Sequence, residues 1–89
     1  MSAQINIEGF GQIAFAKEGE EIQFNDEYPS QSAQLNLAEP ETCTFGAKAD
    51  EGWKFVRWMK DSADFSTEAE ITVELTEAHV EYIAAFEAE

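Results

Sequence analysis

Basic charge is scarce in this sequence. Five Lys and Arg stand against 19 Asp and Glu, a formal net charge of −14 over 89 residues. That shortage argues against a nucleic-acid binder, which needs a basic footprint along the phosphates. It argues equally against docking on anionic lipid. Cysteine occurs once, as Cys43, so no disulfide can form within the chain. The single His, His79, adds too little to Cys43 for a zinc site built from Cys and His. Two Pro and five Gly are too few for a collagen-like chain or a flexible linker. No apolar run approaches the roughly 18 residues of a membrane-spanning helix.

What is present is folded composition: 44% hydrophobic and 12% aromatic residues, enough apolar surface for a core. Residues 1–89 read as one small domain, since a chain this short has no room for a second core. Met1-Ser2-Ala3-Gln4-Ile5 offers neither a basic n-region nor an apolar h-region, so no signal peptide is expected. A cytoplasmic protein and a module of a longer exported chain both fit that start. Cys43 suits reduced cytoplasm and equally a surface protein that uses few cysteines. The finish at Glu87-Ala88-Glu89, directly after an apolar alternation, favours the module.

Along the chain, apolar residues recur with period two. Ile5 and Ile7, then Ile13 and Phe15, flank Gly9-Phe10-Gly11 and read as a β-hairpin. Lys17-Glu18-Gly19-Glu20 reads as a turn, Ile22 and Phe24 resume the alternation, and residues 25–32 with Pro29 read as a loop. Ala33, Leu35 and Leu37 form the next run. Cys43, Phe45, Ala47 and Ala49 share one parity against Thr42, Thr44, Gly46 and Lys48, the pattern of a half-buried strand. After the turn signal Asp50-Glu51-Gly52 comes the most aromatic stretch. Trp53 and Phe55 agree in parity and Trp58 does not. One extra residue near Val56-Arg57, a β-bulge, would bring all three to one face. Residues 60–67, polar around Phe65, read as a loop.

The last 20 residues fit two readings. Ile71, Val73 and Leu75 alternate, as do Val80, Tyr82, Ala84 and Phe86, while Ile71, Leu75, Ala78, Tyr82 and Phe86 lie near helical spacing. The β-branched run Ile71-Thr72-Val73 lowers helix propensity, which favours two strands around a turn at residues 76–79. The predicted fold is mainly β: a small single-domain antiparallel sheet of about six to seven short strands with at most one helical turn. Its predicted core is Ile5, Ile7, Ile13, Phe15, Phe45, Phe55, Trp58, Ile71, Val73, Leu75, Tyr82, Ala84 and Phe86.

The second half carries a resemblance. Thr42-Cys43-Thr44-Phe45-Gly46-Ala47-Lys48-Ala49 leads into Asp50-Glu51-Gly52-Trp53-Lys54-Phe55-Val56-Arg57-Trp58. Phe65-Ser66-Thr67, Ile71-Thr72-Val73 and Tyr82-Ile83-Ala84-Ala85-Phe86 follow. This resembles the bacterial surface repeat named after the internalin B-repeat, in its divergent form. That family shows a strand ending in Ala, a Glu-Gly-aromatic-x-Phe-x-x-Trp core and a closing strand ending in Ala-x-Phe. Ile5-Asn6-Ile7-Glu8-Gly9 with Gly11-Gln12-Ile13 resembles its opening hairpin. Residues 18–40 have no clear counterpart, and Lys60-Asp61-Ser62-Ala63-Asp64 lacks the family's Gly-containing turn. The resemblance implies a β-grasp-like module, used as a spacer or adhesion part of exported bacterial proteins, with no catalytic residues, cofactor or metal to carry over. No second copy of the aromatic pattern occurs.

Candidate chemistry is thin. A catalytic His79 would need a nucleophile and an orienting acid beside it. Ser62 and Ser66 lie in no Gly-x-Ser-x-Gly elbow, so an exposed turn histidine is the simpler reading. A reactive Cys43 would need a cation to lower its pKa; its parity with Phe45 marks it instead as a small buried hydrophobe. Acid clusters occur at Glu18/Glu20/Glu21, Asp26/Glu27, Asp61/Asp64 and Glu68/Glu70. None has EF-hand spacing, and paired carboxylates for sugar hydrolysis need a cleft that a domain of this size hardly offers. A solvated acidic surface explains them. Trp53 and Trp58 could stack on a sugar, but within the motif they read as core. Phe10 and Tyr28, beside Gly and Pro in loops, are the candidate partner contacts. Two functions compete. One is a non-catalytic structural or adhesion module of a bacterial surface or secreted protein, meeting a host or cell-wall component or its neighbouring modules. The other is an acidic intracellular protein that mimics nucleic acid toward a basic partner.

Overall fold

The structure is a computed structural model, and it describes residues 1–25, 27 and 31–89. Its strands are β1 (Ser2–Glu8), β2 (Gly11–Lys17), β3 (Ser32–Asn36), β4 (Glu41–Ala49), β5 (Trp53–Lys60), β6 (Ala63–Ser66), β7 (Glu70–Leu75) and β8 (His79–Ala88). There is no helix among the described residues. The fold is all β, as the alternation predicts, with eight strands where six to seven were expected. The strands form a five-stranded sheet ordered β3-β1-β8-β5-β6 and a three-stranded sheet ordered β2-β4-β7. The larger sheet is mixed, because β1 runs parallel to β8 while its other pairs are antiparallel.

Parity decides which side of each strand is dry. Ala3, Ile5, Leu35, Val80, Tyr82, Ala84, Phe86 and Trp58 are buried on the larger sheet; Ile13, Cys43, Phe45, Ile71, Val73 and Leu75 are buried on the smaller one. All belong to one core cluster. Tyr82 meets Phe45 across the core edge to face, with ring centroids 5.2 Å apart, a favoured aromatic geometry. The bulge falls where the parity conflict placed it. Phe55 pairs with Phe86 and Arg57 with Ala85, so Val56 is the extra residue. Trp58 thereby turns inward, fully buried, with its Nε1 donating to the Ala69 carbonyl at 3.3 Å.

Four local readings are corrected. First, β1 and β2 are not a hairpin: β1 pairs with β3 and β8, and β2 pairs with β4. The chain crosses from one sheet to the other at Gly9 (φ 89°). A Cβ on Gly9 would lie 2.5 Å from the Phe86 carbonyl oxygen, so the corner needs glycine for its conformation and its clearance. Second, Ile22 and Phe24 alternate without joining a ladder. They pack over Gly46, where an added Cβ would meet Ile22 Cδ1 at 3.0 Å and Phe24 Cζ at 3.2 Å. Third, residues 60–67 contain β6. Lys60 pairs with Ala63 around the two-residue turn Asp61-Ser62, whose φ values of 47° and 71° are those of a type I′ turn. These two residues adopt the backbone that glycine usually supplies. Fourth, Phe15 is not core. It shares the parity of Ile13 and pairs with Phe45 in register, yet it is 42% exposed while its neighbour Ala16 is buried, so the alternation breaks in the second half of β2. Ile7 and Phe55 are only partly buried against the cluster. The last 20 residues are strands, β7 and β8, in different sheets.

Candidate functional site

Phe10 sits at the corner between β1 and β2 and is 56% exposed. Its carbonyl accepts from Asp50 N at 3.4 Å, and Trp53 N donates to Asp50 O at 2.9 Å. These bonds bring the corner beside the start of β5, where the Phe10 and Trp53 rings lie 4.9 Å apart and tilted. Phe10 therefore presents an aromatic edge to solvent with Trp53 behind it. Tyr28, the other candidate contact, lies outside the described residues. Sequence reading missed two further exposed aromatics. Phe15 was assigned to the core by parity. Phe65 lay in a supposed loop, and it packs edge-on against Tyr82 at 5.8 Å with Lys60 Nζ 6.0 Å from its ring. The three exposed rings occupy three places in the fold. Trp58 is fully buried and offers no stacking face.

His79 does acquire a serine and an acid. The parallel pairing sets Ser2 opposite His79, with Ser2 Oγ 2.8 Å from Nδ1 and Glu81 Oε1 4.0 Å from Nε2. Base catalysis would require the imidazole to take the hydroxyl proton. Ser2 Oγ also lies 3.3 Å from the Ala78 carbonyl, which competes with the imidazole for the same hydroxyl proton. The group lies on the exposed surface. Its geometry is that of a polar contact fastening the starts of β1 and β8.

Cys43 is fully buried. Burial pushes its thiol pKa up, the nearby Glu41 carboxylate adds to the rise, and Lys17 opposes it. The thiol accordingly stays protonated and poorly nucleophilic. The acids are used singly. Asp61 Oδ1 accepts from Glu81 N at 3.1 Å, Asp64 lies 3.8 Å from Arg57, and Glu41 lies 3.8 Å from Lys17. Among the described residues, no group of three or more His, Cys, Asp or Glu is placed to hold a metal ion. Open grooves mark the surface of the described residues. One of about 470 Å³ has Ile22, Phe24 and Ala47 in its wall and Glu20, Glu21 and Glu70 around it. Another, about 420 Å³, lies beside Arg57, Asp64 and Phe65.

What emerges is an all-β, two-sheet module organised around an aromatic core, with exposed aromatic rings among its surface features. The family model described as the divergent InlB B-repeat domain matches residues 26–89, and the chain belongs to that family. The match takes in residues 26–40, for which sequence reading found no counterpart. It leaves outside the opening segment around Ile5 to Ile13, which sequence reading compared with the family's first hairpin. No curated protein and no solved structure gives a significant match.

Proposed function

We propose that this chain is a non-catalytic structural or adhesion module of a bacterial cell-surface or secreted protein, with neighbouring modules or a host or cell-wall component as its partner. The family match over residues 26–89 carries the reading. The motif residues behind the resemblance support it, because their work is packing. Phe55 lies 5.9 Å from Trp58 and 5.8 Å from Phe86, ring to ring. Phe10, backed by Trp53, is the candidate contact for an adhesive role.

The nucleic-acid mimic draws less support. Such a protein needs its carboxylates along one face. Here Glu70 and Glu74 on β7 and Glu81 and Glu87 on β8 belong to different sheets. Their parity is opposite to that of the buried residues, so they point away from the shared core on the two outer sides. Antibody raised against the 89-residue chain tests the surface role. It should label intact cells of the source bacterium, and protease treatment of those cells should remove the label. Labelling only after lysis would refute the reading.

A further inference from the structure

The starting observation is the direction of two strands. β1 and β8 are parallel neighbours, paired from Ser2↔His79 to Glu8↔Ala85. The chain enters the sheet at the start of β1, and β8 continues to Ala88. At about 3.3 Å per residue, the ten residues of β8 set entry and exit roughly 33 Å apart, close to the long dimension of 39 Å. Tension along the chain therefore pulls β1 and β8 in opposite senses, parallel to their own axes. The hydrogen bonds between parallel strands are evenly spaced along the pair, so such a pull strains the whole row together. β8 is held on its other side by β5, from Trp53↔Ala88 to Lys60↔Tyr82. To slide, β8 must also drag Tyr82 past Phe45, 5.2 Å away, and Phe86 past Phe55, 5.8 Å away.

We propose that this module bears tensile load along its chain, with the β1–β8 pair as a shear clamp. The proposal deepens the spacer reading and rests on it for its biological purpose. The mechanical claim itself concerns the chain alone.

Single-molecule pulling on the 89-residue chain tests it, because forced unfolding reads the barrier along the pulling direction. In one arm the handles sit at Met1 and Glu89. In the other they sit at Met1 and an Ala78→Cys site. Ala78 is exposed and immediately precedes β8, so this second arm pulls on the same end of both strands and opens their bonds one after another. Cys43, fully buried, takes no handle in the folded protein. At equal loading rate the rupture force should be severalfold higher in the first arm. Equal forces, or a higher force in the second, would overturn the clamp and leave the surface role to the labelling experiment.

Discussion

Gly11→Ala should destabilise this domain through a single collision. Gly11 has no positive φ, so its backbone accepts alanine. The obstacle is the Phe86 ring: a Cβ on Gly11 would lie 2.5 Å from Cζ, 2.6 Å from Cε1 and 2.7 Å from Cε2. Ordinary carbon contacts begin near 3.5 Å, so the ring must retreat by about 1 Å. Phe86 is 4% exposed and its ring is backed by Phe55 at 5.8 Å, which leaves it little room. Overpacking of this kind costs about 1–3 kcal/mol, and the backed ring places Gly11→Ala near the upper end. Phe86→Leu removes the three colliding atoms. Alone it should cost about 1–2 kcal/mol, between a methyl deletion and loss of a whole ring. In that background Gly11→Ala should cost almost nothing, so the double-mutant cycle should show a coupling of about 3 kcal/mol. Urea unfolding followed by Trp58 and Trp53 fluorescence supplies all four corners, given a two-state transition. Additive losses in the double variant would refute the collision, as would a neutral Gly11→Ala.

Trp58→Ala should cost about 3–5 kcal/mol, a large share of a small domain's stability, whereas Glu18→Ala or Glu20→Ala should change it by less than about 0.5 kcal/mol; comparable losses in urea melts would contradict the core described here. With 19 carboxylates against five basic groups, self-repulsion opposes the compact state, so the melting temperature should rise modestly as NaCl screens over about 8–10 Å. Calcium at matched ionic strength should add nothing further, and an extra rise of several degrees would point to Asp61, Asp64 or the Glu18 to Glu21 acids as ligands. Alkaline pH should destabilise the fold. Burial foremost, then nearby carboxylates, raises Cys43 above 9.0 and Tyr82 above 10.0. The folded chain thus keeps protons that the unfolded chain releases. The stability is fully present below pH 9.0 and is lost as pH climbs through 9.0 and 10.0 toward the raised folded values. Tyr82→Phe should shallow that loss in urea melts taken across this range, and an unchanged slope would remove Tyr82 as a cause.

Much of the local structure was legible because burial on one face of a strand writes itself as period two. The bulge at Val56 is the clearest case. Trp53, Phe55 and Trp58 cannot share a dry face without one extra residue, and the conflict is visible in six letters of sequence. The acids were legible as surface for the same reason, since Glu70, Glu74 and Glu81 alternate with buried neighbours. Less was legible of the candidate contacts. Phe10 announced itself beside glycine, but its backing by Trp53 did not, and Phe65 was hidden in a four-residue strand whose turn carries no glycine.

Sequence alone thus determined an all-β, acidic module with an aromatic core and the family resemblance; for the last 20 residues it favoured strands over a helix, and the structure decided between them. Partner choice was decided only in three dimensions. Alternation states which side of a strand is dry, and it carries no information on which strand lies beside it. Ile5, Ile7, Ile13 and Phe15 would alternate identically in a hairpin and across two sheets. The actual arrangement follows from Gly9 turning the chain against the Phe86 backbone. The break in alternation that exposes Phe15 and buries Ala16 is likewise seen only in the structure, and the parallel course of β1 beside β8 joins residues more than 70 positions apart. Such contacts form only when distant segments bury a common core, and no local pattern records them.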